Sequence, residues 1–358
     1  MAKICQIGSG MIGQTMALDL AEDHDVLLGD IEIDNVNDKI KNHPSISILK
    51  VDARDIKQVS SFIISADIVL LAVPGHLGFK ILKTIIECGK NVVDISFSPE
   101  DLMELNKNAI KNNVTAIFDS GVAPGIPNYI LGYYNSFEKI TSFKYFVGGL
   151  PKYPKAPFNY KAPFSPIDVI EEYTRPARMM INGKIITKPA LSEIEILNFN
   201  NDIKLEAFNT DGLRSLLQTM SHVSNMSEKT LRFPGHAKLI KGYIKNDILQ
   251  DEETIKYLFN EWELEKDEPE FTILKVEIET DEKTISYELF DEFDKTSKTS
   301  SMARTTGYTA TATINLILEG LFDNKGVFPP ESVCKNKNIF DFILDYLSKR
   351  HVKVQKDI

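Results

Sequence analysis

Short apolar runs alternate with longer stretches of helical spacing over the first 120 residues, and this alternation constrains the fold of the chain. The runs are too short for helices, and their unbroken apolar character is typical of strands that are covered on both faces. The stretches between them, such as 11–21, 77–88 and 101–110, carry apolar residues at helical intervals. A repeated order of strand, helix and strand predicts a doubly wound parallel sheet. The six runs are 4–7, 26–28, 46–49, 68–73, 92–95 and 115–118.

The pattern changes after residue 121, where Pro and Gly cluster and apolar residues alternate with polar ones. Two short alternating runs meet across Asn182-Gly183, a pair that favours a tight hairpin turn. We therefore expect residues 122–300 to form an α+β substrate domain with a mixed, largely antiparallel sheet. Residues 305–321 have the pattern of a small-residue helix, and we expect the segment 301–358 to return to the first domain. Other strand-like runs are 205–208, 271–279 and 284–290.

The composition argues against several classes of protein. Of the 358 residues, 43% are hydrophobic and 26% are charged, as in ordinary globular proteins, so a disordered or fibrous chain is not expected. The 51 acidic residues exceed the 41 basic ones, and the net charge of −10 argues against binding to nucleic acid phosphates. No apolar run approaches the roughly 18 residues that a membrane span needs, and no signal peptide is expected. Three widely spaced cysteines fit a reducing compartment, and we expect a cytoplasmic protein.

The first apolar run leads directly into the motif Gly8-Ser9-Gly10-Met11-Ile12-Gly13. A GxGxxG motif is specific when a strand precedes it and a helix follows, as the pattern predicts here. Gly8 permits the tight turn, Gly10 lets a pyrophosphate approach the backbone, and Gly13 lets helix and strand pack closely. The helix that begins near Met11 and Ile12 presents backbone N–H groups and a partial positive charge to the phosphates. Residues 1–121 are therefore expected to form a Rossmann domain that binds a dinucleotide.

The ends of the predicted strands supply further cofactor contacts. Asp30 ends the second strand 17 residues after Gly13, where an acid binds the ribose 2′-hydroxyl and repels a 2′-phosphate. No Arg occurs within the ten residues after Asp30, so NAD is expected as the cofactor and NADP is disfavoured. Asp52 follows the third strand, near the expected edge of the adenine ring. The other candidate cofactor contacts are Ala53, Ala72, Val73 and Pro74.

The chain resembles the saccharopine-dehydrogenase-like oxidoreductases, and within them it is most similar to the lysine 6-dehydrogenases. The first segments that carry this resemblance are the glycine motif above and Asp119-Ser120-Gly121-Val122-Ala123-Pro124-Gly125. Together they extend over nearly the whole chain. The remaining segments are 148–151, 164–178, 208–214, 229–236 and 302–308.

The resemblance implies an NAD-linked enzyme that transfers a hydride from an amine-bearing carbon to nicotinamide, after which water hydrolyses the imine. The implied substrate is a basic amino acid, L-lysine at its 6-amino group. One alternative is an imine-reducing saccharopine or carboxynorspermidine dehydrogenase. Another is a non-catalytic NAD-binding sensor or assembly protein, because a fold alone does not settle function. Members of the family often associate, so a homodimer or homotetramer is expected.

Candidate catalytic residues are His236 and Asp119. His236 follows Pro234-Gly235 at a predicted helix start, and its imidazole could act as the base that amine oxidation requires or as a substrate anchor. The alternative for His236 is a side chain that satisfies nearby backbone groups. Asp119 ends the sixth predicted strand, where it could orient the substrate amine or cap the following turn.

Four further residues are candidates for substrate binding. The guanidinium groups of Arg175 and Arg178 suit a carboxylate, although pairing with the nearby acids at 171 and 172 is an equal alternative. Thr210 could contact substrate or cap a helix, and Tyr173 could form a wall of the site or belong to the core. No His, Cys or acidic cluster has the spacing of a metal motif, so no catalytic metal is expected.

Overall fold

Two separate sheets organise the chain, and each belongs to its own unit. The computed structural model describes residues 1–199, 203–265 and 267–357. The first unit contains Met1–Ser136 and Ala303–His351, and the second contains Phe137–Met302 and Val352–Ile358. The expected boundaries at 121/122 and 300/301 thus lie 15 and two residues before those of the structure, 136/137 and 302/303. The first difference arises because the helix after residue 121 packs with the first unit.

All neighbouring strands of the first sheet are parallel. The order β15-β6-β5-β4-β1-β2-β3 runs outward from β1 in both directions, which is the doubly wound arrangement that the sequence predicts. The strands are β1 (Lys3–Ile7), β2 (Asp25–Asp30), β3 (Ile46–Lys50), β4 (Ile68–Leu71), β5 (Asn91–Asp94), β6 (Thr115–Phe118) and β15 (Gly326–Phe328).

Helices cover both faces of this sheet, which explains the unbroken apolar runs. In β4, Ile68 and Leu70 join one core with Ile314, while Val69 and Leu71 join a second core on the other face. The helices of the first unit are α1 (Met11–Leu20), α2 (Asp38–Lys41), α3 (Ile56–Phe62), α4 (Gly75–Glu87), α5 (Asn106–Lys111), α6 (Ile126–Asn135), α11 (Ser301–Leu318), α12 (Pro330–Val333) and α13 (Lys337–Lys349).

Residues 303–351 of the C-terminal segment complete the first unit, as expected. The expectation was wrong for the residues that follow, because a strand within them joins the second sheet. Ala310 and Ile314 of α11 lie in the same core cluster as Met16 and Leu20 of α1. The strand β15 then adds a seventh strand beside β6. The sequence pattern did not reveal β15, because three residues are too few to show a period.

The second sheet is mixed and largely antiparallel, as expected. Its main path is β10-β11-β12-β7-β13-β14-β16, in which only the β12–β7 pairing is parallel, and β8 joins β12 and β9. The strands are β7 (Ile140–Pro151), β8 (Ala177–Ile181), β9 (Lys184–Lys188), β10 (Glu195–Phe199), β11 (Ile203–Asn209), β12 (Asn225–Arg232), β13 (Glu270–Thr280), β14 (Thr284–Glu292) and β16 (Val354–Lys356).

The hairpin predicted at Asn182-Gly183 joins β8 to β9, and both turn residues have positive φ, at 50° and 73°. Gly148 and Gly149 lie inside β7. A Cβ at Gly148 would lie 2.7 Å from the Leu231 carbonyl oxygen, so close strand packing requires the glycine. The helices of this unit are α7 (Pro166–Thr174), α8 (Leu216–Thr219), α9 (His236–Lys245) and α10 (Glu252–Trp262).

No helix in the described residues combines the length and the apolar character that a membrane span requires. Within the same residues, no group of three or more His, Cys, Asp or Glu side chains is placed to hold a metal ion.

The carboxylate of Asp19 ties three helices of the first unit together. It accepts hydrogen bonds from Thr311 of α11 and, at 2.9 Å, from the Tyr346 hydroxyl of α13. It also forms a close ion pair with Arg350, and both side chains are largely buried.

We expect Asp19→Ala to lower the free energy of unfolding by about 1 to 3 kcal/mol, because it leaves buried donors without their acceptor. Urea denaturation of the full chain measures this change. Glu22→Ala is the matched control, since Glu22 is exposed just after the same helix, and it should change stability by less than about 0.5 kcal/mol. Equal effects of the two substitutions would contradict the assignment.

Candidate functional site

The glycine motif forms a tight cradle between β1 and α1. Gly8 has a φ of +108°, and a Cβ there would lie 2.0 Å from the Ala72 carbonyl oxygen. A Cβ at Gly13 would lie 2.4 Å from the Gly8 carbonyl oxygen, whereas a Cβ at Gly10 would meet nothing within 4 Å. The backbone therefore requires glycine at positions 8 and 13 and leaves open space at position 10. This is the geometry that a dinucleotide-binding turn needs, and the residues fit such a cofactor.

Gln6 holds the cradle from below. Its amide Nε2 donates hydrogen bonds to the carbonyl oxygens of Gly8, at 2.9 Å, and Gly13, at 2.7 Å. Gln6 was missed in the sequence because it lies inside an apolar run that indicates only a strand. Gly10 is the N-cap residue of α1 and has no side chain to cap it, so the positive end of the helix dipole faces an open position. Met11 is exposed and Ile12 is half-buried at this helix start.

Asp30 binds the cradle to the end of β2. Its Oδ2 accepts a hydrogen bond from the Ser9 amide, and its Oδ1 accepts one from the Glu32 amide at 2.9 Å. The side chain is half-buried. The structure thus places an acid beside the glycine motif, at the strand end where the sequence locates the ribose contact.

Asp52 is paired with a basic residue that the sequence argument did not consider. The Arg54 guanidinium donates to both carboxylate oxygens of Asp52, with distances of 2.9 Å from Nε and 2.7 Å from Nη2. Hydrogen bonding to Arg54 lowers the pKa of Asp52 to about 2. The sequence argument against NADP considered the ten residues after Asp30, and Arg54 lies beyond them, after β3. Ala53 lies between the two and is half-buried.

The remaining candidates of the first unit also follow strand ends. Ala72 and Val73 are half-buried after β4, and the exposed Pro74 is the N-cap of α4. Asp119 follows β6, is 3% exposed and has a φ of +56°, a conformation that Asp tolerates better than most residues. The structure therefore brings these positions to the carboxyl edge of the parallel sheet, where ligands of this fold bind.

In the second unit, His236 and Tyr173 form a buried pair. His236 is 1% exposed, and its Nδ1 lies 2.9 Å from the Phe158 carbonyl oxygen. Its Nε2 lies 3.0 Å from the Tyr173 hydroxyl. A carbonyl oxygen can only accept, so Nδ1 carries the proton and the Tyr173 hydroxyl donates to Nε2.

Arg232 completes this arrangement. Its Nε donates to the Tyr173 oxygen at 2.7 Å, and its Nη2 lies 3.4 Å from Glu172 Oε2. The guanidinium also lies 4.4 Å from the centre of the Tyr160 ring, within cation–π range. Burial and the neighbouring positive charge of Arg232 lower the pKa of His236 to about 3. His236 is therefore neutral near pH 7, and its two nitrogens are both engaged in protein contacts.

Thr210 lies in a second part of the same polar cluster. Its hydroxyl lies 2.9 Å from the Thr230 hydroxyl and within 2.9 Å of both carboxyl oxygens of Glu228. Thr230 in turn donates to Glu172. Thr210 therefore contacts a buried acid, and neither Glu228 nor Thr230 was singled out in the sequence.

Both candidate arginines pair with acids in the structure. Arg175 binds Glu171 at 2.8 Å, which is one of the two pairings weighed in the sequence. Arg178 binds the buried carboxylate of Asp211 through Nε and Nη2, each at 2.9 Å, while its own side chain is 48% exposed. A substrate carboxylate would share these guanidinium groups with their acidic partners.

Glu206 explains why α9 begins at His236. Its carboxylate accepts hydrogen bonds from the backbone amides of Gly235, at 2.9 Å, and Ala237, at 2.6 Å. A carboxylate at this end of a helix is stabilised by the helix dipole. Glu206 thereby fixes the first turn of the helix that carries the imidazole.

Comparisons with known proteins agree with this geometry. The family model described as saccharopine dehydrogenase C-terminal domain matches residues 121–352, and the saccharopine dehydrogenase NADP binding domain matches residues 4–117. The chain belongs to the saccharopine dehydrogenase family of oxidoreductases. The family resemblance seen in the sequence is thus confirmed, and the N-terminal domain is an NAD(P)-binding one.

Individual relatives are distant. The mitochondrial alpha-aminoadipic semialdehyde synthase of Mus musculus is 24% identical over 269 residues, which is 70% of this chain and 29% of that protein. The saccharopine dehydrogenase [NADP(+), L-glutamate-forming] of Saccharomyces cerevisiae is 23% identical over 261 residues, 69% of this chain and 58% of that one. The matched region thus covers less than a third of the mouse protein and less than two thirds of the yeast one.

Two solved structures share the fold. Apo saccharopine dehydrogenase (L-Glu forming) from Saccharomyces cerevisiae has a TM-score of 0.80 at 18% identity, with 100% of both chains covered. Homospermidine synthase from Legionella pneumophila, in complex with NAD, has a TM-score of 0.71 at 13% identity, covering 99% of this chain and 91% of that one.

The depressed pKa of His236 predicts an acid-sensitive fold. Because the unfolded imidazole binds a proton below about pH 6.5 and the folded one only near 3, stability should fall as the pH decreases between these values. We expect His236→Asn to flatten this slope, measured by urea denaturation across that range. His43→Asn, a partly exposed histidine of the first unit, is the control that should leave the slope intact. An unchanged slope in His236→Asn would refute the buried neutral imidazole.

Proposed function

We propose that this chain is an NAD(P)-dependent oxidoreductase that acts on a carbon–nitrogen bond of an amino-acid-derived amine. The observation that carries the proposal is the cradle at Gly8 and Gly13, with Asp30 bound to it, in a chain of the saccharopine dehydrogenase family. The intact cradle supports cofactor binding, which an enzyme and a non-catalytic sensor or assembly protein would share. A negative activity assay would therefore favour the sensor or assembly role.

The cofactor would be held by the glycine motif, by Asp30 and by the positions after β3 and β4. When bound, the nicotinamide ring supplies a hydride acceptor or donor. We propose a preference for NAD, because the Asp30 carboxylate repels a 2′-phosphate and the Arg54 charge is balanced by Asp52. The names of the yeast relatives specify NADP(+), whereas we propose NAD for this chain.

The substrate proposal has two candidates. The names of the relatives favour a secondary amine of the saccharopine type, which oxidation would convert to an imine. The sequence resemblance favours L-lysine, oxidised at its 6-amino group. In either case we propose that a substrate carboxylate binds near the exposed guanidinium of Arg178 in the second unit. A role for Asp119 of the first unit in orienting the amine stays a prediction. Because both ring nitrogens of His236 are engaged inside the protein and its low pKa makes it a weak base, we assign it to positioning Tyr173 rather than to proton abstraction. Association into a homodimer or homotetramer and a cytoplasmic location stay predictions.

The test of this function is an amine panel with the purified full chain. Absorbance of the reduced nicotinamide is followed with NAD or NADP and saccharopine, L-lysine, or a diamine, and in reverse with an amine and an aldehyde. We expect turnover with saccharopine or L-lysine. Cofactor binding without turnover on any member would refute the enzyme proposal and support the sensor role.

Asp30→Ala should change cofactor selectivity. Loss of the carboxylate removes the repulsion of a 2′-phosphate, so the ratio of kcat/KM for NAD over NADP should fall by at least about tenfold, or about 1.4 kcal/mol. Arg54→Ala is the control, since removing a cation should not improve use of NADP. The ratio is obtained from initial rates with each cofactor, or from binding titrations where no substrate is turned over. A ratio unaffected by Asp30→Ala would exclude the assigned role of Asp30.

A further inference from the structure

Two threonine hydroxyls connect two acids inside the second unit. The chain of contacts runs from Glu228 to Thr210, then to Thr230, and ends at Glu172. It contains three hydrogen bonds, each of which needs one proton. The two hydroxyls supply two protons, so the third must come from a carboxylic acid at one end.

The surroundings decide which acid carries that proton. Glu172 lies 3.4 Å from the Arg232 guanidinium, whose positive charge stabilises a carboxylate. Glu228 is 4% exposed, and in the described part of the chain no Lys or Arg forms an ion pair with it. The amide of Gly212 donates to Glu228 Oε2 at 3.0 Å, and the Thr210 hydroxyl lies 2.9 Å from Oε1 and 2.7 Å from Oε2. One of the two carboxyl oxygens therefore carries the proton and donates it to Thr210.

We propose that Glu228 is a neutral carboxylic acid and a positioning residue, whose O–H points both threonine hydroxyls toward an ionised Glu172. Glu172 in turn holds Arg232, and Arg232 holds Tyr173 against His236. The orientation of the whole cluster therefore depends on one buried proton. The effect on catalysis rests on the proposed function, whereas the protonation itself does not.

The charges around Glu228 act in the same direction. Burial raises its pKa to about 8, and the negative charges of Glu172 and Asp211 add to this. The hydrogen bonds that Thr210 and Gly212 would donate to the ionised form act in the opposite direction. The nearby cations are each bound to one of those acids, Arg178 to Asp211 and Arg232 to Glu172. The neighbour of Glu228 on β7 is Tyr145, whose neutral hydroxyl donates to the Gly212 carbonyl oxygen at 2.7 Å.

Infrared difference spectroscopy of the folded chain, without substrate, tests the protonation. The wild type minus Glu228→Gln spectrum, recorded well below the Glu228 pKa, should show the carbonyl stretch of one protonated carboxylic acid, and this band should vanish well above that pKa. Glu195→Gln is the matched control, because Glu195 is a half-exposed acid paired with Lys229 in the same sheet and should give only a carboxylate difference. Absence of an acid band specific to Glu228 would overturn the proposal.

The pH dependence of stability is a second test. Between about 4.5 and 8 the folded Glu228 holds a proton that the unfolded side chain has lost, so its contribution to stability decreases as the pH rises through that range. Glu228→Gln, which keeps an N–H donor for Thr210, should remove this slope and raise the urea midpoint at alkaline pH. An unchanged slope would count against a buried proton on Glu228.

Activity on whichever amine the panel identifies tests the positioning role. We expect Glu228→Gln to retain at least about tenfold more kcat/KM than Glu228→Ala, because the amide reproduces the donor to Thr210. Thr230→Val should behave like Glu228→Ala, and Thr230→Ser should restore the rate. The wild-type fall in kcat/KM above the Glu228 pKa should be absent in Glu228→Gln. A glutamine variant as impaired as the alanine variant would overturn the positioning role of Glu228. Absence of turnover in the wild type would refute the enzyme proposal, and the infrared and stability tests would still decide whether Glu228 is protonated.

Discussion

The second unit depends on the contacts that compensate the buried positive charge of Arg232. Its side chain is 3% exposed, and an uncompensated cation at such a depth would cost several kcal/mol. Compensation comes from the Glu172 carboxylate and from two tyrosine rings whose faces and hydroxyls meet the guanidinium. Because Glu172 belongs to α7 and Arg232 to β12, the same contacts join helix to sheet. The polar cluster is therefore a structural joint as well as a candidate site.

Charge is balanced locally in both units. In the first, Arg54 is engaged by Asp52 at the end of β3, and in the second, Arg178 is engaged by Asp211. The net negative charge of the chain says little about these two positions, because Arg54 and Arg178 each lie within hydrogen-bond distance of an acidic partner. A ligand that approaches these positions meets paired charges, so its binding depends on exchange of partners rather than on a net field.

Much of the fold was readable from the sequence, and strands were missed where they are short, as in β15, or where polar residues occupy buried positions. Strands such as β4 are covered on both faces, so their apolar runs indicate them directly. The strand β12 was missed, because its buried positions include Glu228, Thr230 and Arg232, and polar residues at buried positions erase the apolar pattern. The same residues build the cluster around His236. The family resemblance drew attention to segment 229–236 but could not show that its side chains point at one another.

The glycine motif shows the opposite case, since a local backbone requirement is visible in the sequence. Gly8 and Gly13 are required because a Cβ at either position would clash with a carbonyl oxygen. The spacing of the glycines in the motif is enough to predict this requirement. Gln6 lay in the same segment and was not foreseen, because its role depends on where two carbonyl groups point.

The discontinuity of the first unit has a consequence for synthesis of the chain. Its core cluster takes Ala310 and Ile314 from α11, and its sheet takes β15, both of which are translated after the whole second unit. As the ribosome proceeds from the N-terminus, the first six strands must wait, with one apolar face incompletely covered, until more than 160 further residues have been added. The second unit, whose residues 137–302 are consecutive, can assemble most of its sheet in the meantime. The 136 residues that are translated first thus belong to a unit that is completed only after residue 302 has been added.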